Sequence, residues 1–213
     1  MRLFKLISIL VVLFCYNCDK NKRKDDFIKE RIKATSLSYQ EYIEKTNIPK
    51  SFYSHFPMTI KKLPIKLYSN DDLSRDFIYV MLFEYEIDKK TMDSLSAVIK
   101  NGNIVKYSDK DLKTLVINKQ NLEKKYINFV PYFETHSYDY LENVVSTKDV
   151  YSDRTKTGLS ENFDIYIFNT KSKDILSDIQ TLRSILKQDV KGYSRGICIN
   201  TKKSILIYWF LAW

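Results

Sequence analysis

The chain has 213 residues, with 35 Lys and Arg against 26 Asp and Glu, for a formal charge of +9. Sixteen Tyr, twelve Phe and only four Gly and four Pro exclude low-complexity disorder outside the N-terminal region. That length suits one well-cored domain and is short for two, and no internal repeat is visible.

The chain opens with Arg2 and Lys5, follows with an apolar run from Leu6 to Phe14, and reaches Cys18 just before Asp19, Lys20, Asn21, Lys22, Arg23 and Lys24. A helix needs roughly 20 apolar residues to span a bilayer, so the run reads as a cleaved export signal rather than an anchor. The order of basic start, apolar run and cysteine resembles the signal class of bacterial lipoproteins. That resemblance covers only the first eighteen residues and implies no activity. It implies a signal over 1–17, a lipidated Cys18 as mature N-terminus, and an exported protein anchored in the cell envelope, at the periplasm or outer membrane. Plain secretion without the lipid is the alternative. Cys15 and Cys18 also have redox-pair spacing, but such a pair needs a strand-to-helix turn in a folded domain.

The basic excess follows the same division. Removing Arg2 and Lys5 with the signal leaves 33 basic against 26 acidic residues, and from Asp25 onward the count is 29 against 25. Residues 18–26 read as a tether beside the lipid, where each Lys or Arg adds on the order of 1 kcal/mol of attraction to anionic headgroups. A solvated basic linker is the plainer reading. No nucleic-acid partner is expected of an exported chain whose charge is gathered in its tether.

Residues 27–213 are expected to form a single α+β domain: a mainly antiparallel sheet, two or three packed helices and a C-terminal hairpin. Phe27, Ile28, Ile32, Leu37, Tyr39, Tyr42 and Ile43 predict a helix over 26–45, closed by Ile48-Pro49. The aromatic segment S-F-Y-S-H-F-P follows. Pro64 makes the stretch 59–68 an edge or irregular strand. A strand is predicted over 77–87, a helix over 88–100 ending at Asn101-Gly102, and strands at 104–107 and 112–117 joined by 108–111. Residues 121–127 read as a weak helical turn, and 128–160 as irregular with short strands. A strand over 163–169 precedes the strongest helical stripe, over 173–191, with Ser172, Lys187, Lys191 and Gly192 as caps. Tyr193-Ser194-Arg195, between two glycines, then reads as a tight loop. A hairpin pairs 196–200 with 204–213. The last strand is apolar on both faces, so helices or a partner must cover both sides.

Catalytic signals are weak. G-x-S-x-G, H-E-x-x-H and P-loop patterns do not occur, and Lys156-Thr157-Gly158 lacks a partner S-x-x-K. Asn70, Asp72, Ser74 and Asp76 alternate like a calcium loop, but Arg75 and Met81 stand where Gly and Glu are required. No metal, cofactor or catalytic residue is assigned. Cys198 alternates with Ile197 and Ile199 and reads as a small buried side chain. The expected function is a non-enzymatic binding or interaction domain for a protein or envelope component. Tyr132, His136, Tyr138, Tyr140, Tyr193 and Arg195 are its candidate surface, because tyrosine offers broad contact area with a polar tip. The alternative is a small envelope hydrolase with His55 or His136 as acid or base.

Overall fold

The computed structural model describes residues 2–46, 48–70, 78–102, 104–107, 115–117, 129–131, 150, 152, 154–155, 157–168, 175–186, 190 and 192–213. The chain divides into two units, one of residues 1–45 with 58–62, the other of 46–57 with 63–213.

In the first unit a single helix, α1, runs over Arg2–Lys45. It contains the helix expected over 26–45 and continues through the residues expected to be a tether, since no Pro or Gly interrupts 2–45. Lys29 lies 3.9 Å from Asp26 and Lys45 lies 3.6 Å from Glu41, both at helical neighbour spacing. The segment 58–62 is fastened along α1 by two hydrogen bonds. Ile60 N–H donates to Ser36 Oγ at 3.1 Å, and Gln40 Nε2 donates to the Met58 carbonyl at 3.3 Å. Tyr39 and Ile60 are buried.

The second unit is built on a six-stranded antiparallel sheet. Its strands are β1 (Ile65–Asn70), β2 (Ile78–Glu84), β3 (Val105–Tyr107), β6 (Asp164–Ile167), β7 (Tyr193–Asn200) and β8 (Ile205–Ala212). They lie in the order β1-β2-β8-β7-β6-β3. A small parallel pair joins β4 (Leu115–Ile117) to β5 (Phe129–Pro131). Two helices, α2 (Lys89–Asn101) and α3 (Ile175–Leu186), complete the described elements with a 3₁₀ turn at Lys50–Tyr53. The class is α+β, with a C-terminal hairpin.

The composition of β8 explains its place. Every residue from Ile205 to Ala212 is buried, and β8 sits between β2 and β7 with neighbours on both edges. On one face Ile205, Ile207, Trp209 and Leu211 join Met81 and Phe83 of β2, Cys198 of β7 and Ile165 and Ile167 of β6. Val150, Leu159 and Phe163 close that face. On the other face lie Leu206, Tyr208, Phe210 and Ala212, and aromatic rings from the 3₁₀ segment cover them. Phe52 sits 5.5 Å from Phe210, Tyr53 5.6 Å from Phe210, and Phe56 5.6 Å from Tyr208. The sequence led us to expect helices over both faces or a partner; on this face the aromatic loop covers Tyr208 and Phe210, and α3 reaches Tyr193 through Asp178.

Other boundaries shift for identifiable reasons. β1 begins one residue after Pro64 and is an outer strand, as a proline in a strand demands. Asp88 caps α2 by accepting from Thr91 N–H at 2.8 Å, and Gly102 N–H closes it on the Val98 carbonyl at 2.9 Å. The strands expected near 104 and 112 are not paired with each other: β3 joins β6, and β4 joins β5. The expected turn at 121–127 lies outside the described residues, as do Ser172, Lys187 and Lys191.

The largest correction concerns residues 192–195. Gly192 does not close a helix, and Tyr193-Ser194-Arg195 is not a loop: β7 starts at Tyr193. Gly192 and Trp213 exchange two backbone hydrogen bonds of 3.0 Å, which carries the hairpin ladder one pair further. A Cβ on Gly192 would stand 2.5 Å from Trp213 Cζ2. The glycine is there to admit an indole, not to turn the chain.

Candidate functional site

The described candidates meet on the β7–β8 side covered by the aromatic loop. His55 follows the 3₁₀ turn, and its Nε2–H donates to the Trp209 carbonyl at 2.9 Å. A carbonyl only accepts, so Nε2 carries the proton and Nδ1 is left with a lone pair. Nδ1 is buried and has no hydrogen-bond partner among the described residues. The imidazole lies edge-on to Phe56 at 4.7 Å and to Phe168 at 5.2 Å. Burial among these groups pushes its pKa down to about 3, the Arg195 guanidinium pushes the same way, and the Trp209 and Gly196 carbonyls only partly oppose them. His55 is therefore neutral at pH 7.

Arg195 rises from β7 beside it. Its Nη1 donates to the Ser51 carbonyl and to Ser54 Oγ, the latter at 3.4 Å. Arg195 and His55 thus pin the aromatic segment to the sheet from both sides. Phe52 packs edge-on to Tyr193 at 5.1 Å and lies 5.5 Å from Phe210.

This arrangement is poorly suited to acid–base chemistry. A working histidine base needs a substrate or nucleophile hydroxyl on one nitrogen and an orienting group on the other. No carboxylate or hydroxyl bonds the His55 ring among the described residues, and its depressed pKa makes it a weak proton acceptor. What the geometry does is lock a loop.

Tyr193 was expected on a binding surface and is instead buried, with 1 % of its surface exposed. Its hydroxyl donates to Asp178 of α3, and its ring packs on Phe52. As a strand residue it lies on the face that the loop covers. Arg195 is half-buried and turned onto Ser51 and Ser54. Tyr132, His136, Tyr138 and Tyr140 lie outside the described residues, as does most of the calcium-like segment at 71–77. Cys18 falls within α1, where only the backbone is described.

Cys198 is fully buried among apolar side chains, and burial raises its thiol pKa. Thr157 and Gly158 serve a tight turn: Gly158 has φ 79°, Ser152 N–H donates to its carbonyl at 2.8 Å, and Leu159 N–H donates to Thr157 Oγ1 at 3.3 Å. Among the described residues no three His, Cys, Asp or Glu side chains converge on a metal-sized site. The residues that sequence reasoning missed are Phe52, Tyr53 and Phe56. Their signal was present as four aromatic or imidazole rings within the seven residues S-F-Y-S-H-F-P. No protein-family model, curated protein or solved structure matches this chain.

Proposed function

We propose that the protein is a lipid-anchored bacterial envelope lipoprotein whose globular part is a non-enzymatic binding or interaction domain. The observation that carries this reading is the N-terminal order of Arg2 and Lys5, the apolar run to Phe14, Cys18 and the basic run Lys20–Lys24. A diacylglyceryl group carries two acyl chains, which suffice for stable attachment, and the adjacent basic cluster adds attraction to anionic headgroups. Among the described residues no helix is long and apolar enough to cross a membrane. The engagement of His55 with a backbone carbonyl weighs against His55 as the acid or base of the hydrolase alternative, which then falls to His136. Tyr132, His136, Tyr138 and Tyr140 remain the surface proposed for a protein or envelope-component partner.

Intact mass and detergent partitioning of the natively expressed protein, beside Cys18→Ala, test the anchor. A diacylglyceryl mass on a chain starting at Cys18, lost in the variant, is the expected result. A soluble, unlipidated product overturns the anchor. For the binding role, alanine at Tyr138 and Tyr140 should weaken partner capture in crosslinking and leave the melting temperature unchanged. An equal loss of stability would remove both from the surface.

A further inference from the structure

Between residues 22 and 34, α1 sorts its side chains by charge. Arg23, Lys24, Phe27, Ile28, Arg31 and Ala34 fall on one side at about 100° per residue. The acids of this stretch, Asp25, Asp26 and Glu30, fall on the other side, together with Lys22, Lys29 and Lys33. Lys29 already faces Asp26 at 3.9 Å there, so that side is close to neutral. The centre of the first side, Lys24, Phe27, Ile28 and Arg31, carries two cations and no acid, whereas Arg23 at its edge lies about 20° from Glu30.

The same side is also apolar and uncovered. Residues 22–31 are all exposed, Phe27 by 59 % and Ile28 by 40 %. The Arg31 guanidinium stands 5.9 Å from the Phe27 ring centroid, which confirms that they share a face. The segment 58–62 occupies a different face, at Ser36 and Gln40. A helix with cations and a large aromatic on one side and balanced charge on the other fits a boundary between water and anionic headgroups.

We infer that the face of Lys24, Phe27, Ile28 and Arg31 lies on an anionic lipid surface, with Phe27 and Ile28 entering the headgroup layer. This rests on the membrane-anchor reading above and extends it: the segment after Cys18 is an interfacial helix with a fixed roll, not a flexible tether. From Cys18 to Phe27 the helix rises by about 14 Å, so an anchored Cys18 holds this segment beside the bilayer; Cys18 itself falls on the acidic side at about 100° per residue, so the face docks with the turn at Cys18 unwound. The acidic side then faces water.

The test uses the full chain reconstituted with phosphatidylglycerol-containing vesicles. A solvatochromic fluorescent amino acid replaces, one at a time, Lys24, Phe27, Ile28 and Arg31, and on the other side Asp26, Lys29, Glu30 and Lys33. The expected result is a blue shift of emission at the first four positions only, absent with phosphatidylcholine vesicles. With the probe at Phe27, Lys24→Glu with Arg31→Glu should abolish the shift, whereas Lys29→Glu with Lys33→Glu, equal in charge change, should retain it. Water-like emission at all eight positions, equal shifts on both sides, or equal loss in the two charge variants overturns the inference. A shift that persists without vesicles assigns the face to a protein contact and also overturns it. Intact mass of the same preparation reads the lipid at Cys18 separately, so failure of the anchor and failure of the helix face are distinguished.

Discussion

Gly196 of β7 lies directly across the ladder from Trp209 of β8, and a methyl group on Gly196 would stand 2.5 Å from Cη2 and 2.6 Å from Cζ2 of that indole. The Tyr166 carbonyl of β6 presses on the same spot. The indole occupies the volume where a side chain would be, and the strand accepts glycine's low β-propensity in exchange for burying the whole ring.

Gly196→Ala should therefore destabilise the fold by about 3 kcal/mol or more, because the indole and a neighbouring backbone would both have to move. Gly192→Ala meets only the Trp213 ring, at the end of the ladder, and should cost about 1–2 kcal/mol. Urea unfolding of both variants checks the ranking. Equal stability of Gly196→Ala and the parent would exclude the slot.

His55 makes stability depend on acid. Its pKa in the folded protein is about 3, against 6.5 for an ordinary histidine, so the unfolded chain binds a proton that the folded one refuses. Its contribution is whole above pH 6.5, is lost at up to about 1.4 kcal/mol per pH unit on the way down, and levels off near pH 3. His55→Gln can keep an N–H toward the Trp209 carbonyl but cannot titrate. The difference between the two unfolding free energies, followed from pH 7 to pH 4, should slope in favour of the variant as pH falls. A flat difference would refute the buried neutral histidine.

Phe52→Ala should cost about 3–4 kcal/mol, since the ring fills the space between Tyr193 and Phe210. Arg195→Ala should cost only about 1–2 kcal/mol, because its guanidinium bonds are partly exposed. Hydrogen exchange should show faster exchange over 50–56 in both variants. A larger loss for Arg195→Ala than for Phe52→Ala would mean that the loop is held by charge rather than by rings.

Cys198 should resist alkylation in the folded protein and react on unfolding, because it is fully buried and burial raises its thiol pKa. Peptide mapping after maleimide treatment, with and without urea, reads this directly at Cys198. Labelling in the native state at the rate of a free thiol would place it outside the core.

The two-sided apolarity of S-I-L-I-Y-W-F-L-A-W made the burial of β8 legible from sequence, and alternation placed Cys198 on one face. Asp88 and Gly102 announced the ends of α2. Three things were not legible. The glycines at 192 and 196 look like turn residues until one sees tryptophans opposite them, and that pairing depends on register. The aromatic segment 51–56 has no periodicity, so its role as a lid over Phe210 and Tyr208 emerges only from its position in space. Tyr193 and Arg195 drew attention as a surface because tyrosine and arginine often bind partners. Alternation within β7 instead turns both toward the covered face, where one is buried against Phe52 and the other clasps Ser51.

The position of β8 also sets an order of events in time. It follows every strand it joins, and its partner β2 lies more than 120 residues earlier in the chain. The β7–β8 hairpin closes over four residues, Thr201–Ser204, and can form within about 1–10 μs. The β2–β8 pairing must then close a long loop before either face of the sheet is complete. We therefore expect the hairpin to carry the high φ-values and β1 and β2 to dock late, so that a truncated or stalled chain lacking β8 would leave β2 without its inner neighbour.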